Sequence, residues 1–333
     1  MIVTLTPNPS LDRTIELAGP LARGEVQRAV TTRAEPGGKG VNICRALQAS
    51  GIPSLAVLPG DPEDPVLIAL TRQAIPYLGL AIGAPLRSNV AITEPDGTTT
   101  KVNEPGPTLS AQQQRALIDL VIDNAAGASW LVLAGSVPPG VPDDFYARII
   151  SEIRSSLGVN APKIAVDSSG GPLAAAALAR PDLLKPNGEE LAELSGLFDG
   201  DTLESSPDLV VDAARVLIDG GVGAVLATLG AHGAILVTAE GSWLAQTPPM
   251  VAVSTVGAGD SALAGYLLQS NLGAGPPDCL RQAAAHGAAA AALPGSTVPS
   301  QNQTDPHSVT VTELFPVPAA APVLTTHPQE DDQ

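Results

Sequence analysis

Short apolar runs alternate along the chain with longer stretches in which apolar positions recur every three or four residues. Segments 2–6, 130–134, 164–167, 224–228 and 234–237 are almost uninterrupted apolar runs of strand length, as strands covered on both faces require. Segments 40–50, 111–124, 143–157, 188–194, 209–219, 258–269 and 279–293 carry the helical period. Strands alternating with helices predict an α/β fold, a mostly parallel sheet between two helical layers, with ligands at the carboxyl ends of the strands. Segments 12–35 and 87–103 depart from this scheme. There polar residues alternate with β-formers, and a Pro-Asp-Gly turn at 95–97 interrupts the second. They are expected to form strands outside the main sheet, as a small lid. They hold Arg13, Arg23, Arg28, Arg33, Arg87 and Lys101. The end of the chain, 319–333, is rich in Pro and Ala and then acidic, and is expected to be disordered, leaving one domain over 1–318.

Composition narrows the function. At 333 residues with 44% hydrophobic side chains the chain can bury a large core, but only 2% are aromatic, so Ala, Leu and Val must fill it. A net charge of −17 argues against nucleic acid or an anionic membrane as partner. The charge is uneven. Residues 186–333 contain Arg215 and Arg281 as their only Lys or Arg, against 17 acidic residues. An anion bound by the first half can meet basic side chains, whereas one bound by the second half must rely on backbone amides and a metal ion. Cys44 and Cys279 read as inert buried thiols suited to a reducing compartment. Met1 leads straight into an apolar strand with no signal-peptide pattern, and a cytoplasmic protein is expected.

The most informative segment is Thr255-Val256-Gly257-Ala258-Gly259-Asp260-Ser261, where two glycines precede a carboxylate at a helix start. The amides of Gly257, Ala258 and Gly259 can hold an anion there. A carboxylate in that place would repel the anion, and makes sense if Asp260 takes a proton from a hydroxyl while the amides hold an incoming phosphoryl group. Taken alone, a capping Asp is the better fit, and the rest of the chain reverses that reading. Gly37-Gly38-Lys39-Gly40-Val41-Asn42 precedes a helix and offers Lys39 and Asn42 as donors, though a plain glycine turn would look the same and the Walker spacing is absent. Asn187 and Glu190 lie three apart after Lys185-Pro186. They can form a capping box, orient a hydrated Mg²⁺, or do both. Thr228 to Gly233, with Gly230 between, reads as a tight turn between strands. Asp12 can accept hydrogen bonds from sugar hydroxyls or cap a turn. His232 and His286 have no partner spacing that would make them catalytic.

Taken in order, TPNPSLD (6–12), GGKGVN (37–42), RSNV (87–90), GSVPPG (135–140), KPNGEE (185–190), TLGAHG (228–233) and TVGAGDS (255–261) resemble the PfkB branch of the ribokinase family of carbohydrate kinases, over nearly the whole chain. The resemblance implies a Rossmann-like three-layer fold with a β-sheet lid, ATP and Mg²⁺ as cosubstrate and cofactor, and Asp260 as base beside the Gly257–Gly259 amides. It implies sugar contacts from Asp12, Gly38, Asn42 and Ser136, and contacts to a phosphate already on the sugar from Lys39 and Arg87. Lys185, Asn187, Thr228, Gly230 and Gly233 would hold ATP, with Glu190 on the Mg²⁺ side. TPNPSLD and RSNV resemble the hexose-phosphate kinases of the family, which implies a phosphorylated ketohexose: fructose 1-phosphate phosphorylated at O6, or alternatively fructose 6-phosphate or tagatose 6-phosphate. A catalytically silent sugar sensor is the reading from another class. The family's lids often pair, implying a homodimer. The chain departs from the family pattern at 59–65, at Leu86 before Arg87, and at His286 in a helix that usually flanks the adenine.

Overall fold

The computed structural model describes residues 1–316; the tail expected from 319 lies outside them. In chain order the first half holds strands β1 (Ile2–Leu5), β2 (Ser10–Leu17) and β3 (Ala29–Gly37), helix α1 (Lys39–Ala49), β4 (Ser54–Pro59), α2 (Pro65–Arg72), β5 (Tyr77–Leu80), β6 (Arg87–Thr93) and β7 (Thr99–Asn103). Then come α3 (Ala111–Ala125), β8 (Trp130–Ala134), α4 (Phe145–Leu157), β9 (Lys163–Asp167), α5 (Gly170–Leu178) and β10 (Leu183–Leu184). The rest comprises α6 (Gly188–Ser195), α7 (Gly200–Ser205), α8 (Pro207–Asp219), β11 (Ala224–Thr228), β12 (Ala234–Thr238), β13 (Gly241–Gln246), α9 (Ala258–Asn271), α10 (Pro276–Ala291) and β14 (Thr310–Pro316).

Ten strands form one sheet in the order β14-β13-β12-β11-β10-β9-β8-β1-β4-β5. From β11 to β5 neighbours run parallel, while β12, β13 and β14 add an antiparallel end. Alternation along the buried strands divides the core between the two faces. Val3, Leu5, Leu131, Leu133, Ile164 and Val166 pack with the apolar sides of α3, α4 and α8. Ile2, Trp130, Val132 and Ala165 pack with α1, α9 and α10 on the other side. These are the three layers that the alternating pattern predicts. Successive strands are added on one side of β1 as far as β5, and on the other from β8 onward, so the strand order reverses between β1 and β8. That crevice is where such sheets take ligands.

The remaining four strands form a second sheet in the order β3-β2-β6-β7. Here β2 pairs antiparallel with β3 and parallel with β6. Their alternating polar pattern reflects position: this sheet stands off the core, and β7 is exposed throughout. Several elements escape the apolar-period reading. β10 is only two residues long, and α2 starts on Pro65 in a proline-studded stretch where Asp64 caps it through Val66 N–H at 2.9 Å. α10 begins at Pro276, three residues before the expected start, because Pro is tolerated in a first turn.

α9 is buried on every side from Asp260 to Leu268, as α1 is from Gly40 to Leu47. It meets α10 closely at Gly265, where a Cβ would stand 2.5 Å from the Gln282 carbonyl oxygen. The small residues Ala283, Ala284 and Ala285 of α10 allow the same approach from the other side. Cys44 and Cys279 are both free and buried, their thiols pushed up to about 11, chiefly by burial. No helix among the described residues is long and apolar enough to cross a membrane.

Candidate active site

Asp167 ends β9, at the carboxyl edge of the sheet, and is fully buried. Its Oδ1 lies 2.5 Å from the Lys39 Nζ and its Oδ2 3.1 Å from the Lys185 Nζ. Lys39 comes from the first turn of α1 and Lys185 follows β10, so one carboxylate gathers lysines from the two sides of the sheet. Burial alone would raise the Asp167 carboxyl, but the two ammonium groups outweigh it and hold it below the ordinary range. Burial likewise opposes the charge of Lys39, yet Asp167, Glu190 and Asp260 together keep its ammonium firmly protonated.

Asp260 occupies the first turn of α9, buried, and accepts a hydrogen bond from Asn42 Nδ2 at 2.9 Å. Burial, reinforced by the nearby Asp167 carboxylate, pushes Asp260 up to about 6 against the pull of Lys39, Asn42 and Lys185. A carboxylate there is a usable proton acceptor near neutral pH. Gly257 caps α9 in the left-handed region, φ 76°, which glycine enters without strain. The first-turn N–H groups of such a helix have no intrahelical partner. Ala258 N–H is weakly shared with the Thr255 carbonyl at 3.4 Å. The Lys185 ammonium lies just behind this turn, 3.3 Å from where a Gly259 Cβ would be.

The nucleotide-side residues named from the sequence continue from here. Asn187 caps α6 through a reciprocal pair: its Oδ1 accepts from Glu190 N–H at 2.8 Å, and Glu190 Oε2 accepts from Asn187 N–H at 2.9 Å. The capping box is therefore real, and it fixes Glu190 where its charge reaches Lys39. Thr228 joins the group through its N–H to the Pro186 carbonyl at 3.0 Å and a bridge to Asn187. Gly230 and Gly233 bound a single 3₁₀ turn between the antiparallel β11 and β12, and a Cβ on Gly233 would collide with the Ala245 carbonyl at 2.1 Å.

The other group surrounds the β1/β8 crevice. Asp12 Oδ1 accepts from Ser10 Oγ at 2.7 Å and from Asn89 Nδ2 at 3.0 Å, across the β2–β6 pair. Burial raises the Asp12 carboxyl, opposed by those two bonds and by Arg87 and Arg45. Arg87 donates to the Glu104 carbonyl at 3.2 Å, while its Nε is buried without a hydrogen-bond partner. Gly38 leaves room for Thr6, whose Cγ2 lies 2.7 Å from the position of a Cβ. Ser136, exposed after β8, accepts from Asn8 Nδ2 at 3.3 Å, which spans the crevice. A cleft of about 600 Å³ opens between the polar face of the second sheet (Asp12, Thr14, Asn89, Lys101) and the loops at 252–256 and 294–296, ending one residue before Gly257.

Sequence reasoning missed Asp167, which joins lysines far from it in the chain; its only local signal is a lone acid ending an apolar strand. It also missed Asp64, in the stretch that departs from the family pattern. Asp64 Oδ2 accepts from Leu86 N–H at 2.9 Å and so fixes the backbone entering Arg87. His286 is buried against Gln282 and Ser50, burial depressing it to about 4, so it stays neutral and structural.

A family model described as "pfkB family carbohydrate kinase" matches residues 6–303. The chain is 33% identical over 325 residues to a 1-phosphofructokinase of Rhodobacter capsulatus, covering 95% of this chain and 99% of that one. It is 32% identical over 311 residues to an ATP-dependent 6-phosphofructokinase isozyme 2 of Mycobacterium tuberculosis, covering 91% and 88%. The structure of phosphofructokinase-2 from Escherichia coli in complex with substrates and products superposes with a TM-score of 0.82 at 30% identity, over 91% of this chain and 96% of that one.

Gly37 offers a test of the crevice. A Cβ there would stand 2.1 Å from Asp12 Oδ2 and 2.4 Å from Cγ, so Gly37→Ala must turn the carboxylate aside. Losing one hydrogen bond to a charged group is worth about 1.5–3 kcal/mol. The expected outcome is a KM for the sugar ligand raised about tenfold or more in a variant that circular dichroism shows still folded. An unaltered KM would show that Asp12 makes no contact with that ligand.

Proposed function

Because the chain belongs to the pfkB family of carbohydrate kinases, phosphotransferases that use ATP and act on a sugar hydroxyl, we propose that it phosphorylates D-fructose 1-phosphate at O6 to give fructose 1,6-bisphosphate. The observation that carries the reading is the placement of Asp260. A buried carboxylate tuned to about 6 shares a helix N-terminus with amides able to hold an anion, and lies on the same side as the crevice group. Asp260 accepts the proton of the attacking hydroxyl, while the amides of Gly257, Ala258 and Gly259, backed by Lys185, hold the transferring phosphoryl group. Asp12, Gly38, Asn42 and Ser136 orient the sugar. Arg87, with its unpartnered Nε, and Lys39 bind the phosphate already present.

Thr228, Gly230, Gly233 and Asn187 seat the nucleotide. Among the described residues no group of three or more His, Cys, Asp or Glu side chains is arranged around a metal. Mg²⁺ does not require one, since it keeps water and phosphate ligands and takes one or two carboxylates. Glu190 fits that part, held rigid by Asn187, and the ion would neutralise charge on the phosphates. The charge division agrees: the crevice has Arg87 and Lys39, and the acidic half uses amides.

The relative named 1-phosphofructokinase supports fructose 1-phosphate. The one named 6-phosphofructokinase supports a second reading with fructose 6-phosphate, and the same machinery serves tagatose 6-phosphate. The second sheet acts as a lid over the cleft. By register, Ile15, Ile92 and Val102 lie on the face opposite the cleft, and Val102 is 58% exposed. That face suits a second copy of the chain, and sedimentation at the 33.6 kDa of a single chain would count against it.

Asp260→Asn should lower kcat by about 10²–10⁴, and a rate near that of the native enzyme would remove Asp260 from this role. Its proton affinity sets the sign of the pH dependence. The folded carboxyl titrates near 6, above the ordinary 3.8, so it becomes protonated and inactive as pH falls through about 6. Burying its charge costs stability above that pH, and the cost is relieved below it. kcat/KM should therefore fall below about pH 6 while the fold persists; full activity at pH 5 would refute the assignment.

Substrate choice is read by ADP release with fructose 1-phosphate, fructose 6-phosphate, tagatose 6-phosphate and free fructose. A kcat/KM preference for the first is expected, with Arg87→Ala raising its KM strongly. A preference for free fructose, indifferent to Arg87→Ala, would overturn phosphate recognition.

A further inference from the structure

Arg45 lies within α1 with its side chain buried, and none of the roles above uses it. Its two terminal nitrogens meet four groups on three separate pieces of chain. Nη2 donates to Glu35 Oε2 at 3.0 Å, and Nη1 lies 3.4 Å from the Pro36 carbonyl, both at the end of β3. Nη1 also donates to the Ser296 carbonyl at 3.2 Å, in the loop after α10. Ser296 Oγ in turn donates to Glu35 Oε2 at 3.2 Å, closing the network. The fourth acceptor is Asn42 Oδ1, one turn back on α1, 3.4 Å from Nη1.

A guanidinium can only donate. It therefore takes the oxygen of the Asn42 amide, which leaves the NH₂ group facing Asp260 Oδ2 at 2.9 Å. Were the amide reversed, N–H groups would face Arg45 and an oxygen would face the Asp260 carboxylate, a repulsive contact on both sides. Glu35, the strongest anchor of Arg45, stands directly opposite Asp12 in the β2–β3 register. Ser296 belongs to the wall of the cleft. One side chain thus ties the strand beside Asp12, a wall of the cleft and the amide on Asp260 to a single point.

We propose that Arg45 is a positioning residue that acts through Asn42, fixing its amide toward Asp260 from an anchor formed by the end of β3 and the 294–296 loop. This deepens the proposed function and rests on Asp260 as the base.

The test is a double-mutant cycle on kcat, with folding checked by circular dichroism and melting. Arg45→Lys keeps the charge but cannot reach all four acceptors with one ammonium. It should lower kcat about tenfold, within the usual coupling range for residues in one network. Asn42→Ala should also lower kcat, and adding Arg45→Lys to it should cost no more than about a further twofold. A native kcat in folded Arg45→Lys, or losses that multiply in the double variant, would overturn the proposal. Should Arg45→Lys fail to fold, Glu35→Gln enters the same cycle, since it keeps the guanidinium and weakens only its anchor. A threefold or greater loss of kcat that disappears in the Asn42→Ala background supports the proposal; no loss, or a multiplying one, overturns it. An active Asp260→Asn enzyme would sink the base reading by itself, whereas the cycle reports only whether Arg45 acts through Asn42, so the two failures are distinct.

Discussion

The active site depends on charge balance around one buried carboxylate. Asp167 and Asp260 are both buried, and two such carboxylates close together resist ionising at once. Lys39 and Lys185, clasped by Asp167, make it possible. Leaving a buried charge without its partner typically costs about 3–5 kcal/mol, so this cluster constrains where each contributing segment can lie. It requires that the ends of β9 and β10 be neighbours, that α1 start beside them and that α9 point its first turn at the same place. The order of strands in the large sheet satisfies these demands together. The same cluster also sets the chemistry, because it leaves Asp167 firmly ionised and Asp260 poised to take a proton.

The two ligand sides are built on different principles. The crevice side presents side chains: Asp12 with Ser10 and Asn89, and Arg87 with an Nε that has no hydrogen-bond partner. The other side presents backbone, a glycine-capped helix start and a capped α6, in a half of the chain nearly devoid of basic residues. In the proposed reading, the acidic half would serve a polyanionic ligand through amide dipoles and a divalent ion, which would do the work that arginines otherwise perform.

Much of this was legible in the chain. The buried strands read as apolar runs because both of their faces are covered, and the polar alternation at 12–35 and 87–103 marked strands that stand off the core. The glycines around Lys39 and before Asp260 marked segments that come together around Asp167 and Asp260. What escaped depended on distant pairing. Asp167 is an ordinary strand end until Lys39, 128 positions away, arrives beside it. Arg45 sits on a helical stripe, and its partners at 35, 36 and 296 come from other elements. Asp64 was hidden in a proline-rich stretch that reads as a loop, although it caps α2 and steers Arg87. β10 was too short for any period to show.

The burial of α9 on all sides has a consequence for how this enzyme can change. Its base rides on a helix pressed against α10 at Gly265, where no side chain could be added without displacing backbone. The second sheet is, by contrast, exposed along β7 and most of β3 and only half-buried along β6, so substitutions there disturb less packing. In the proposed reading, the part that performs the reaction and the part that selects the substrate therefore carry very different mutational tolerance. A lineage can exchange one phosphosugar for another by altering the pliant sheet, while the chemistry is inherited almost unaltered.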